Sequence, residues 1–164
     1  MKNNIFAALF LATACIPVLA SDDPKTLPTP IYNQLKSGKK LDKSYLTPDY
    51  DKAKGFKIGK VDYKAEYRSG DVMTYLPKAL STLAKDDAPF TLNIAVVHVS
   101  TQTYALVGII MGAVTVEGQI VDSNGKVVAA FRTKEKSAPA GFGGKDDYNV
   151  AIDKIASAIA ADLL

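Results

Sequence analysis

The chain has one cysteine, Cys15, one histidine, His98, two arginines, Arg68 and Arg132, and no tryptophan. A single cysteine makes no intrachain disulfide, so a packed core has to supply the stability. Zinc sites of cysteine and histidine need several such ligands at set spacings, which one of each cannot provide. No metal and no cofactor is expected. The net charge is +3, from 20 basic against 17 acidic residues, and there is no clustered basic patch with arginine forks. Nucleic acid is therefore not expected as a partner. The lysines between Lys36 and Lys64 are interrupted by Asp42, Asp49, Asp51 and Asp62. That mixture marks a solvated surface rather than the basic face of a membrane-lying helix.

What the chain does have begins with its leader. Lys2 precedes the apolar run Ile5 to Ala14, Pro17 breaks that run, and Val18-Leu19-Ala20 offers small residues where a signal peptidase needs them. The polar Ser21-Asp22-Asp23-Pro24 follows. Residues 1–20 read as a signal peptide cut after Ala20, which sends the protein to the periplasm of a bacterial envelope. A second reading takes Leu11-Ala12-Thr13-Ala14-Cys15 as a lipobox, with Cys15 acylated and the protein an outer-membrane lipoprotein. Ala12 stands where leucine is usual, and the proline ahead of an A-x-A-like site is the more complete pattern. As an uncleaved membrane span the run is short and broken by Pro17.

Residues 21–55 hold Pro24, Pro28, Pro30 and Pro48 among many lysines and aspartates, with no sustained apolar period. They read as an extended tether or wrap, with a short helix around Ile31 to Leu35. The remaining residues, 56–164, read as one α+β domain. With 48% hydrophobic and 23% charged residues the composition is that of a globular protein, and a mature chain of about 140 residues buries roughly two thirds of its unfolded surface.

Within that domain, alternation from Phe56 to Tyr63 predicts a strand near a sheet edge. Ser69-Gly70-Asp71 offers an N-cap, and Val72, Leu76, Leu80 and Leu83 mark an amphipathic helix ending near Lys85. Pro77 is read as starting the regular helix after a loose first turn at Asp71 to Leu76, because proline is tolerated in a first turn and not deeper inside. Phe90 to about Ser100 reads as a central strand, and Val114 to Val121 as another. Asp122-Ser123-Asn124-Gly125 is a tight hairpin turn leading into a strand over Lys126 to Lys134. Ser137 to Gly144 is a loop. Asp146 and Asp147 open a last helix with Tyr148, Ile152, Ile155, Ile159 and Leu163 on one stripe and Asp153, Lys154 and Asp162 off it. The order β-α-β-β-β-α predicts a mixed, mostly antiparallel four-stranded sheet with two helices packed on one face.

This element order, with the hairpin Val-Glu-Gly-Gln-Ile-Val-Asp-Ser-Asn-Gly-Lys-Val over 116–127 and the glycine loop before the last helix, resembles small bacterial periplasmic proteins and lipoproteins. Their domain is similar to that of the curli secretion lipoprotein CsgG and the N-terminal domain of TolB. The likeness covers residues 56–164 and implies a non-enzymatic assembly or transport accessory role at the outer membrane. It supplies no catalytic residue to carry over.

His98 lies between Val97 and Val99 on a strand, where a packed residue is the simpler account. A hydrolase centred on it would need an orienting acid and a nucleophile, and no G-x-S-x-G elbow occurs. Asp146, Asp147 and Asp153 are explained by helix capping and solvent. Gly141-Phe142-Gly143-Gly144-Lys145 departs from a P-loop at Pro139 and Asp146, so it reads as a β-to-α connection. The segment Tyr104 to Ala113 is different. It lies in a stretch from Ala88 to Val116 with no Asp, Glu, Lys or Arg. One account makes it a core strand bulged at Gly108 and Gly112. The other makes Tyr104, Leu106, Val107, Ile109, Ile110 and Met111 an apolar surface for another envelope protein or for self-association. A carrier of a small apolar or lipid-like ligand, in a groove between the open sheet face and the N-terminal wrap, is the alternative function.

Overall fold

A computed structural model describes residues 25–104, 109–138, 140–141 and 147–164. Cys15 and the whole of the leader lie outside these residues. The elements in chain order are α1 (Thr29–Tyr32), β1 (Lys36–Ser37), β2 (Lys43–Leu46), β3 (Phe56–Tyr63), α2 (Gly70–Ser81), β4 (Phe90–Tyr104), β5 (Ile109–Val121), β6 (Val127–Lys136), β7 (Ala140–Gly141) and α3 (Tyr148–Leu163). The class is α+β, as the periodicity predicts. The sheet differs from the four-stranded expectation: it has seven strands in the order β1-β2-β6-β5-β4-β3, with β7 paired to β5.

The additional strands come from short segments with little apolar alternation of their own. β2 pairs with β6 from Lys43↔Arg132 to Leu46↔Ala129, and β1 pairs with β2. Edge strands need backbone partners more than buried side chains, so their composition stays polar. β3 and β4 run parallel, joined through α2 in a β-α-β unit, and β4, β5 and β6 form an antiparallel meander. The β5–β6 turn carries the geometry its residues predict. Gly125 has φ 78, and the Asp122 carboxylate accepts from the amides of Asn124 and Lys126.

Both helices pack on one face, where Val72, Leu76 and Leu80 of α2 join Ile152, Ile155, Ile159 and Leu163 of α3 over Leu92, Val116, Ile120 and Phe131 of the sheet. Ser69 caps α2, its hydroxyl accepting from Val72 N at 3.4 Å. Pro77 does not start the regular helix, which already runs from Gly70. It sits inside α2, which ends at Ser81. The Met73 carbonyl loses its helical partner there, and Met73 is exposed, so water is available to it. Asp147 caps α3 through Asn149 N. Asp162, expected off the apolar stripe, is buried with it. Tyr50 seals the far end of α3 by donating to the Leu163 carbonyl at 2.7 Å. Burial, with the Asp51 charge adding to it, pushes the Tyr50 phenol up to about 12.

Candidate functional site

Two buried carboxylates fix the chain's N-terminal stretch to the domain. On β5, Val116, Gly118 and Ile120 face the helices, so Glu117 faces the other way. Its side chain is 0% exposed. Oε2 accepts from Thr26 N at 2.6 Å, from Thr26 Oγ1 at 2.7 Å and from Leu27 N at 3.0 Å. Oε1 pairs with Arg132, its cross-strand neighbour on β6. The second sheet face is therefore crossed by residues 26–27, with Leu27 buried. The second anchor is Asp162 in the last turn of α3. Its Oδ2 accepts from the amides of Lys39, Lys40 and Leu41 at 3.1, 2.9 and 3.0 Å. Burial alone would raise its pKa, but those amides and the Lys52 charge outweigh burial and hold the carboxyl below its ordinary range.

These anchors leave one part of the sheet standing apart. β4 and β5 pair from Thr91↔Val121 to Tyr104↔Ile109. β3 follows β4 only to Tyr63↔Val96, where the amides of Lys64 and Ala65 both end on the Val96 carbonyl. On the other side β6 follows β5 to Ala113↔Lys136, and β7 continues at Ile109 and Ile110. Beyond Val96, then, β4 is the edge strand of an arm that it makes with β5, which β6 and then β7 flank on its other side. A bulge between Val96 and His98 marks its root.

Side chains from outside the hairpin brace that root. The Tyr148 ring packs on Gly112, where a Cβ would come within 2.6 Å of it. The Tyr148 hydroxyl lies 2.9 Å from Thr101 Oγ1. Ser137 bonds Gly112 twice, its hydroxyl accepting from Gly112 N at 2.7 Å and its amide donating to Gly112 O at 2.9 Å.

The arm is where the structure places the residues singled out from the sequence. Tyr104 ends β4, and Ile109, Ile110 and Met111 begin β5, with Met111 half-buried. Leu106 and Val107 lie outside the described residues. The segment is not one core strand bulged at two glycines: it contains a strand end, a connection and the start of the next strand. Gly112 is in regular register opposite Thr101, and the bulge is at Val97. Gly108 is outside the described residues.

His98 pairs in register with Thr115. The nearest acid along β5, Glu117, is bonded to Thr26, Leu27 and Arg132. Among the described residues no group of three or more histidines, cysteines, aspartates and glutamates is placed to hold a metal. Hollows elsewhere mix apolar and charged lining. A groove of about 440 Å³ beside α3 is lined by Lys40, Glu135, Asp153, Lys154 and Ser157 with Val150 and alanines. Burial raises the Glu135 pKa there, against the lowering effect of Lys154. A groove of about 280 Å³ on the second sheet face is lined by Leu27, Lys60, Asp62, Asn93, Ala95, Glu117 and Gln119. Glu117 and Asp162 were not legible as buried groups. The only trace of Glu117 is that it is the first charge after a long uncharged stretch.

No family model matches the chain, and no curated protein matches it. Two solved structures overlap it in part. A candidate lipoprotein from Caulobacter crescentus CB15 is 15% identical with a TM-score of 0.43, over 62% of this chain and 86% of that one. A minor lipoprotein from Acinetobacter baumannii is 13% identical with a TM-score of 0.39, over 63% of this chain and 89% of that one. Overlap at this level assigns no function to this chain. The resemblance to the CsgG and TolB domains rests on the sequence alone.

Proposed function

We propose that this is a non-enzymatic bacterial envelope protein that works by binding protein, as an assembly or transport accessory, through the β4–β5 arm. The observation that carries this reading is the arm itself. The two paired strands continue past the end of β3, flanked by β6 and then β7 on the other side, within a stretch that carries no charge from Ala88 to Val116. Thr101 is exposed there and Ser100 and Met111 are half-buried, and an uncharged strand edge is a recognition feature, since a solvated hairpin ordinarily carries charges along it. Export rests on the leader at residues 1–20. The carrier alternative has less behind it, because the groove between the second sheet face and the N-terminal stretch is lined by Lys60, Asp62, Asn93, Glu117 and Gln119, which disfavour an apolar ligand.

The test is photo-crosslinking in living cells. A crosslinking residue in place of Ser100 or Gln102 should give discrete protein adducts in the envelope fraction, whereas one in place of the exposed Lys57 on β3 should not. An exported, folded protein that gives no adduct from either arm position would sink the reading.

A further inference from the structure

The N-terminal stretch is fastened at its ends and rests lightly in between. Leu27 and Leu41 are buried, and no residue from Pro28 to Lys40 is. α1 has four residues, none of them buried, and β1 pairs only two residues with β2. Among the described residues, the hydrogen bonds of 28–35 end within that stretch, as from Ile31 and Tyr32 to the Pro28 carbonyl and from the Gln34 side chain to Pro30. The Lys43 ammonium, 6.0 Å from the Tyr32 ring, adds a weak contact. A segment with so few tertiary contacts opens before the domain unfolds. What closes it is Thr26-Leu27 on Glu117.

The seat of those two residues has a definite chemistry. Oε2 of Glu117 takes two consecutive main-chain amides and the hydroxyl of the first residue. The side chain of the second, Leu27, is buried and forms one wall of the groove on the second sheet face. Oε1 is paired with Arg132, so the carboxylate is already balanced and calls for neutral donors rather than for a cation.

We propose that this seat is a peptide-recognition site, closed in cis by the chain's own Thr26-Leu27, and that its partner in trans is a protein segment carrying serine or threonine followed by leucine or an apolar residue of that size. The cis occupant defines the fit. Its first residue brings an amide and a hydroxyl to one oxygen, and its second brings an amide and an apolar side chain. Proline in the second place lacks the amide, and an acid there meets Glu117 in a buried site. The seat does not draw on the β4–β5 arm, so the two readings stand or fall separately. A tethered occupant competes at an effective concentration of roughly millimolar. The closed site therefore binds a free peptide weakly, and the opened one takes it at its intrinsic affinity.

The probe is the chain's own 25–35 sequence, Lys-Thr-Leu-Pro-Thr-Pro-Ile-Tyr-Asn-Gln-Leu, made as a labelled peptide and titrated against the exported protein by fluorescence anisotropy. Leu27→Asp places a second carboxylate beside Glu117 and so opens the seat. That variant should bind the peptide at least tenfold more tightly than the wild type, with an unchanged circular dichroism spectrum. The same peptide with alanine at both Thr26 and Leu27 should bind it at least tenfold more weakly. Hydrogen exchange of the wild type needs no variant: the amides of Thr26 and Leu27 should exchange through an opening about a hundredfold more frequent than the one that releases the Val116 amide. Should Leu27→Asp misfold, that exchange and a titration of the wild type with both peptides decide. Equal affinity for the two peptides overturns the proposal, as does equal affinity of variant and wild type or no binding to the opened chain. Exchange of Thr26 and Leu27 only with the whole domain overturns it too.

Discussion

Glu117 and Asp162 do the same work at the two ends of the N-terminal stretch: each offers one carboxylate oxygen to consecutive main-chain amides. Such bonds to a charged acceptor contribute about 1.5–3 kcal/mol each when made, and a buried ion left alone costs more. Glu117→Ala removes the acceptor for Thr26 and Leu27 and one partner of the mostly buried Arg132 guanidinium. A loss of about 3–5 kcal/mol is expected from a urea titration. Thr26→Val keeps both amide bonds and should cost only about 1 kcal/mol. Asp162 adds a pH signature. Its folded pKa lies below the ordinary value, so the unfolded chain takes up the proton first as the pH falls. The stabilisation is fully present above the unfolded pKa, about 4, and is lost as the pH drops through the folded one. The stability gap between wild type and Asp162→Asn should be flat above about pH 5 and narrow below about pH 4. A gap that does not change with pH would show that the amides at 39–41 are satisfied without the charge.

At the scale of elements, α2 holds a local conflict. Proline deep in a helix costs about 3 kcal/mol relative to alanine, yet Pro77 lies within Gly70–Ser81. The apolar stripe explains the tolerance: Val72, Leu76 and Leu80 are all fully buried, and their packing outweighs one missing amide. Pro77→Ala should raise the urea midpoint, by about 1–2 kcal/mol, since the hydrated Met73 carbonyl already recovers part of the loss. An unchanged midpoint would assign an equal contribution to contacts of the half-buried ring. On β5, Gly118 lies under Phe131, whose ring would be 2.3 Å from a Cβ. Gly118→Ala should destabilise by about 1–3 kcal/mol or more through overpacking, read as a lower midpoint in the same titration. The elements with strong periodicity, β3, α2, the body of β4, the second half of β5, β6 and α3, were legible because burial on one face imposes period 2 or 3.6 on the residues themselves. The arm was legible only as an uncharged stretch. Its continuation, Thr101 to Tyr104 against Ile109 to Gly112, is a matter of pairing, and pairing leaves no period.

At the scale of the molecule, the N-terminal stretch turns from a tether into part of the sheet. β1 and β2 extend the edge beside β6, and Thr26 to Leu41 is held at both ends by carboxylates from β5 and α3. The leader then makes a clean prediction. Intact-mass measurement of protein recovered from the envelope should give a chain beginning at Ser21. A mass carrying fatty acyl groups on a chain beginning at Cys15 would assign the anchored form instead, with nine residues between the acylated Cys15 and Lys25, at most about 35 Å of reach.

The sequence by itself determined the α+β class, the order of the main elements and the uncharged stretch that became the arm, and it alone carries the proposal of a leader. Each of these is written in neighbouring residues, as a period, a cap, a turn or a run. Only the tertiary structure decided which carboxylates are buried, which strands are neighbours and which edge is left without charges to guard it. Thr26 reaches Glu117 across 91 positions, and Lys39 reaches Asp162 across 123. Bonds of that separation form only once the sheet has been assembled, so their partners leave no local pattern to read.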